Sequence, residues 1–171
     1  IILGMGVPTT ANYVITSTIA APALVQMGVP VLCAHMFVFY FGIIADVTPP
    51  VALAAFAGAG IAGGNALRTG VNAAKLAIAA FIIPYMFVLS PVILMIDATI
   101  PGLIMTTVTA IIGMIALSSA LIGYLADNCR IYERIILAAG GLLLIDPGAV
   151  TDLTGIALFA IVLLSQLQRK K

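Results

Sequence analysis

The chain has 171 residues, of which 63% are hydrophobic and 8% charged, with a formal net charge of +1. Soluble domains carry about 25% charged residues, so the composition excludes a soluble globular protein and describes an all-α, polytopic membrane protein. A nucleic-acid partner is excluded too, because its electrostatic footprint is a basic face of high pI; the terminal Arg169, Lys170 and Lys171 read instead as a topological anchor.

The first element is a polar interruption. Gly4-Met5-Gly6-Val7-Pro8-Thr9-Thr10-Ala11-Asn12 places helix breakers and oxygen-bearing side chains in apolar surroundings. In hydrocarbon an unpaired backbone group is costly and is tolerated only where it lines a cavity or binds something. The chain opens on Ile1 and shows neither the charged segment nor the cleavage site of a signal peptide, so it reads as the carboxy-terminal part of a longer polypeptide.

Thr9 to Met27 forms an apolar arm ended by Gly28 and Pro30. Val31 to Ala45 forms another, which runs into Asp46-Val47-Thr48-Pro49-Pro50 before apolar sequence resumes from Val51 to Ala62. This pattern predicts a span broken at mid-depth. Pro49 and Pro50 remove two backbone donors and disfavour helical geometry at Thr48, so carbonyls one turn earlier are expected to lose their partners and to become cation ligands. The spacing of Gly60 and Gly64 predicts close packing of transmembrane helices.

Residues 64–75, with Arg68 and Lys75, predict a linker. Leu76 to Ile96 and Ala98 to Ala126 are each long enough for the roughly 20 residues that a span requires. After the charged segment containing Asp127, Cys129, Arg130, Glu133 and Arg134 come Ile135 to Ile145, the turn signal Asp146-Pro147-Gly148, and Leu153 to Leu167. Neither arm reaches across a core of about 30 Å, which predicts a re-entrant or interfacial hairpin. Cys33 and Cys129 lie in different environments, so no disulfide is expected.

Orientation follows from Lys and Arg in short loops. The Arg68–Lys75 gap goes to the cytoplasm, the gap at Asp97 to the opposite side, and the loop of Arg130 and Arg134 back to the cytoplasm. The broken span then runs inward from Val31 to Gly63 with its break near the midplane. The arm from Thr9 to Met27 descends outward from the midplane, which makes Gly4 to Asn12 the tip of a hairpin that does not cross. A hairpin tip meeting an unwound helix at mid-depth is how secondary transporters build their sites.

The motifs Gly4-Met5-Gly6-Val7-Pro8-Thr9-Thr10-Ala11-Asn12-Tyr13-Val14, Ala21-Pro22-Ala23-Leu24, His35-Met36-Phe37-Val38-Phe39-Tyr40-Phe41-Gly42 and Thr48-Pro49-Pro50-Val51-Ala52-Leu53-Ala54 together resemble the large membrane subunit of tripartite ATP-independent periplasmic (TRAP) transporters, of the fused permease type. The resemblance implies the ion-transporter-superfamily fold, in which two inverted repeats each supply a re-entrant hairpin and a broken helix. Residues 1–96 would be the second repeat: hairpin tip and arm 1–28, broken helix 31–63, cytoplasmic linker 64–75 and helix 76–96. Residues 97–171, with Tyr132-Glu133-Arg134-Ile135 and Asp146-Pro147-Gly148, look like the carboxy-terminal extension of the fused permeases.

The resemblance further implies a multi-pass protein of the inner membrane, surrounded by lipid. It would import small organic acids with sodium by an elevator motion, receiving them from an extracytoplasmic solute-binding protein. The other expected partners are the remainder of the permease, namely the first repeat and small-subunit-like scaffold helices.

The residues agree with that chemistry. Sodium takes oxygen ligands, and the two breaks offer the hydroxyls of Thr9, Thr10 and Thr48, the Asn12 amide and carbonyls exposed by Pro8, Pro49 and Pro50. The candidate site is therefore Gly6, Pro8, Thr9, Thr10, Asn12, Asp46, Val47, Thr48, Pro49 and Pro50, with Thr9, Thr10 and Thr48 as sodium ligands and no other cofactor. Asp46 is the one acid inside an apolar segment, either a functional carboxylate or a cap for the following half-helix. That half-helix presents a partly positive amino terminus that favours an anionic solute. His35 reads as a hydrogen-bonded packing residue, and Tyr13, Phe37, Phe39, Tyr40 and Phe41 as packing aromatics.

Enzyme classes find no support in the residues. An intramembrane aspartyl protease needs two acids at depth, a zinc protease needs His-Glu-x-x-His, and the Gly4-x-Gly6 pair lacks the third glycine and preceding strand of a dinucleotide site. The remaining alternatives are a relative that takes carboxylates without a binding protein, and a structural membrane subunit.

Overall fold

The structure is a computed structural model and describes residues 8–169. These residues form eight α-helices and no strand, and the chain divides into two compact units, Ile1–Leu94 and Met95–Lys171.

In the first unit, α1 (Thr9–Gln26) starts directly after Pro8 and tolerates Pro22 in its interior. It ends at Gly28, whose φ of 92° is a left-handed conformation that glycine adopts without a Cβ penalty. Pro30 then opens α2 (Val31–Ala45), and the two helices pack as a hairpin on Ala21, Ala34 and Val38. The small side chains Ala21 and Ala34 leave no accessible surface at this contact. Asp46 to Ala52 is non-helical, and α3 (Leu53–Ala62) follows, so the second apolar segment is interrupted between Ala45 and Leu53.

Two expectations for this unit are corrected. Most of residues 64–75 is a helix rather than a linker: α4 (Ala66–Leu76) is capped by Asn65, whose side chain accepts the Arg68 N–H at 3.0 Å. The span expected from Leu76 to Ile96 is broken into a 3-10 turn at Ile78–Phe81, the short α5 (Ile83–Leu89) and a second 3-10 turn at Pro91–Leu94. Pro84 and Pro91 lack the N–H that a continuous helix would need at those points. Length and hydropathy suffice to predict a span, but they do not register where proline withdraws a donor. The pieces are held by rings: Tyr85 packs edge-on against Phe37 and Phe41 of α2, and Phe87 against Tyr40.

The second unit contains α6 (Ile100–Ile122), α7 (Ile131–Leu143) and α8 (Ala149–Arg169). Thr99 caps α6 by accepting the Gly102 N–H, and 23 residues give a helix of about 35 Å. The arms after Arg134 do form a hairpin, but the expectation that both are short is overturned for the second. α8 takes in Thr151, Asp152 and Thr154 and runs to Arg169, and like α6 it is long and apolar enough to cross a membrane.

Adjacent glycines on α7 face its two neighbours. A Cβ on Gly141 would lie 2.9 Å from the Gly113 carbonyl of α6, and one on Gly140 would lie 3.3 Å from the Gly155 carbonyl of α8. Backbones thus approach through small residues. The pair selected from sequence does not behave this way, since a Cβ on Gly60 would meet nothing within 4 Å and one on Gly64 only Thr69 and Ala59.

Candidate functional site

Of the two polar interruptions, the structure describes the first from Pro8 onward and the second in full. Gly4, Met5, Gly6 and Val7 lie outside the described residues. The Pro8 carbonyl accepts the Asn12 N–H at 2.9 Å and so closes the first turn of α1. Thr9 and Thr10 occupy that turn, exposed, and their hydroxyls make no hydrogen bond with described residues.

Asn12 is 1% exposed, and its Nδ2 donates to the Gly42 carbonyl of α2 at 3.2 Å. A Cβ on Gly42 would stand 3.1 Å from that nitrogen, so the glycine admits the amide. Because the carbonyl requires a donor, the amide orientation is settled and Oδ1 points elsewhere. That oxygen is buried and has no hydrogen-bond partner among the described residues. Buried polar atoms are paired in the great majority of cases, and leaving one unpaired costs about 1–3 kcal/mol. Gly42 lies one turn before Asp46, so the orphan acceptor stands beside the approach to the break.

At the break, the Asp46, Val47 and Thr48 N–H groups donate to the carbonyls of Ile43, Ile44 and Ala45, each at 3.2 Å, which tightens the end of α2. The Thr48 hydroxyl also donates to the Ile44 carbonyl at 2.8 Å. The carbonyls that Pro49 and Pro50 deprive of a helical partner are those of Ala45 and Asp46, and the expectation that they stay free is corrected. Ala45 accepts from Thr48 N, and Asp46 accepts from Ala54 N at 3.1 Å. The carbonyls of Val47, Pro49 and Pro50 are the ones that accept nothing from the described residues. The bond between Pro49 and Pro50 is cis.

Asp46 caps α3 through its main-chain oxygen and not through its side chain. No side-chain cap exists on α3, and the partly exposed Asp46 carboxylate makes no hydrogen bond or ion pair with described residues. α3 begins instead after Ala52, a buried residue held at φ 40°. Positive φ at a non-glycine residue is uncommon and persists only where surrounding structure holds it.

Part of that surround is Gly70 of α4. It is buried, and a Cβ there would meet Phe56 at 2.9 Å, Pro49 at 3.3 Å and Ala52 at 3.4 Å. Gly70 lies in the segment 64–75, for which the sequence predicts a linker, so its packing role is not expected from sequence. The stripe Ala66, Gly70, Ala73, Ala74, Ala77, at helical spacing, was the available signal.

The structure therefore brings together Asn12 with Gly42, Thr48 with Ile44, and Pro49 with Gly70. It joins neither Thr9 nor Thr10 to residues 46–50 by a hydrogen bond among the described residues. His35 accepts or donates at 2.9 Å with the Tyr13 hydroxyl, and Tyr13 stands edge-on to Phe39, as packing residues do. No three His, Cys, Asp or Glu side chains converge among the described residues. The candidate oxygens are hydroxyls, carbonyls and one carboxylate at the break and the amide of Asn12 on α1, a set suited to hard cations.

A second polar cluster, missed from sequence, lies in the other unit. Glu133 and Gln166 are 1% and 0% exposed. Gln166 donates to Glu133 at 3.1 Å and to Cys129 Sγ at 3.3 Å, while its carbonyl oxygen accepts the N–H groups of Ala126 and Asp127. Arg169 pairs with Glu133 at 3.1 Å and Asp127 at 3.2 Å and also donates to the Asn128 carbonyl. Arg134 donates to the Ala120 and Leu121 carbonyls, capping α6. Burial pushes the Glu133 carboxyl up, but the Arg130 N–H, the Gln166 amide and the Arg169 charge outweigh it and hold it below its usual range. Here every buried polar side chain has a partner, so the cluster is a structural tie.

Comparison with known families bears on both units. The family described as tripartite ATP-independent periplasmic transporter, DctM component, matches residues 1–103, and a domain of unknown function (DUF3394) matches residues 103–154. No curated protein and no solved structure matches the chain. The DctM match takes in the tip, the break and α4 and covers more than half of the sequence. The chain accordingly belongs to the DctM component family, the membrane permease of TRAP transporters.

Proposed function

We propose that the chain contributes half of the transport site of a sodium-coupled permease of the inner membrane, importing small carboxylates by an elevator motion. An extracytoplasmic solute-binding protein would deliver the solute, and the first repeat and scaffold helices would complete the site. The observation that carries the reading is the buried Asn12 Oδ1, without a partner among the described residues, on a side chain tied to Gly42 one turn before the break and within the segment that the DctM family matches.

Asn12 Oδ1, the lone pairs of the Thr9, Thr10 and Thr48 hydroxyls, the Val47, Pro49 and Pro50 carbonyls and the Asp46 carboxylate are oxygens with capacity left for a cation among the described residues. The amino-terminal end of α3 adds partial positive charge, which favours a carboxylate beside the bound cation. Tip and break would then hold ion and solute together, so that neither crosses alone.

The test is uptake of candidate carboxylates by the intact permease in proteoliposomes, with and without its binding protein and an imposed sodium gradient. Uptake that requires both is the expected result. Uptake with sodium alone would move the protein to the relatives that work without a binding protein, and no uptake of any carboxylate would leave a structural subunit as the better description.

A further inference from the structure

The outward face of α4 is not used by the break. Gly70 turns one side of the helix onto Pro49 and Ala52, and the opposite side carries Arg68, Asn72 and Lys75, two turns of one face. With Asn65, Leu67 and Val71, all on α4 or its cap, these residues form a shallow, open groove along one helix. Leu67 is 64% exposed and Val71 41%. Among the described residues, neither Arg68 nor Lys75 has an acidic partner.

A helix surface with two cations and an amide, without acidic partners among the described residues, next to exposed aliphatic side chains suits an amphipathic anion at a bilayer surface. We propose that it binds an anionic phospholipid. The headgroup phosphate would lie between Arg68, Asn72 and Lys75, and an acyl chain would run along Leu67 and Val71. Basic residues at a membrane surface attract anionic lipid, and long basic side chains extend their charged ends to the interface while their stems cover apolar surface. The lipid would hold α4 in the interface, and through Gly70 it would support the backbone of the break. The inference goes beyond the transport reading and needs only that the protein lies in a membrane.

The test uses the intact permease in nanodiscs of phosphatidylcholine containing a minor fraction of phosphatidylglycerol, with retained lipid counted by native mass spectrometry. Wild type should retain phosphatidylglycerol over phosphatidylcholine by on the order of tenfold. R68Q/K75Q should lose that preference, R68K/K75R should keep it, and R130Q, which removes an exposed cation elsewhere, should keep it too. Equal retention by wild type and R68Q/K75Q, or an equal loss in R130Q, would overturn the proposal. A phosphatidylglycerol signal abolished by millimolar inorganic phosphate would assign the groove to a free anion and overturn the lipid. If R68Q/K75Q fails to fold, the single variants R68Q and K75Q carry the comparison, and each should lose part of the preference.

Discussion

The two units handle buried polarity in opposite ways. Around residues 123–134 and 166–169, each buried polar side chain finds a partner: Gln166 bridges the main chain and Glu133, and Arg169 closes the ring. Around residues 8–12 the buried Asn12 Oδ1 has no partner among the described residues, and at 46–52 the carbonyls of Val47, Pro49 and Pro50, on partly or fully exposed residues, accept nothing from them either. A fully satisfied network rigidifies, whereas unspent capacity destabilises the protein unless something binds there. The difference separates a tie from a candidate site more sharply than residue type does, since both regions contain an acid and an amide.

The contrast can be broken most severely at the tie. Glu133→Ala leaves Arg169 and Gln166 facing a void and should cost about 3–5 kcal/mol. Thermal unfolding of the purified permease, with hydrogen exchange at the 123–134 amides, checks this, and an unchanged unfolding temperature would remove Glu133 from the ledger of ties. The same group gives a pH dependence. Its folded pKa is lowered, so its contribution is fully present above the unfolded value of about 4.3 and is lost as pH falls through the lower folded value. Amide protection in this loop should therefore hold from pH 7 to pH 5 and decline below pH 4; a decline between pH 7 and pH 5 would contradict the sign.

At the break, Gly70→Val drives a branched side chain into Phe56, Pro49 and Ala52 and should cost about 1–3 kcal/mol. Uptake should fall with it, because the displaced element is the break itself. Normal uptake with lowered stability would show that α4 braces the fold without touching transport.

Asn12→Leu sharpens the comparison further. A purely structural amide would affect stability alone, but if Oδ1 serves the coupling ion, half-maximal uptake should need about tenfold more sodium, equivalent to roughly 1.4 kcal/mol. Unaltered sodium dependence would make the orphan oxygen a packing defect. The smallest effect is expected from Asp46→Asn. The cap on α3 comes from the main chain, so the amide should leave stability within about 0.5 kcal/mol of wild type, and wild-type sodium dependence of uptake in the variant would dismiss a charged role.

Much of the first unit was legible residue by residue. Gly28 and Pro30 mark the end of α1 and the start of α2, and Asp46 to Pro50 marks the interruption, because glycine and proline act locally on the backbone. The same rule, applied to Pro84 and Pro91, would have divided the segment 76–96, where hydropathy over a window concealed it. Arg169 illustrates a different limit. Its charge and terminal position suit an anchor, and nothing local announces that it reaches Asp127 and Glu133 about 40 residues away in the chain.

The amino-acid sequence by itself determined the membrane class, the arms α1 and α2, the break between α2 and α3 and the oxygen-rich chemistry around it. These follow from composition and from backbone rules that act within a turn of each residue. Only the tertiary structure decided which oxygens remain unpaired, that Gly42 and Gly70 admit their neighbours, and that Glu133, Gln166 and Arg169 form one network. Each of these depends on which donor meets which acceptor across helices, and residue type and spacing do not specify that pairing.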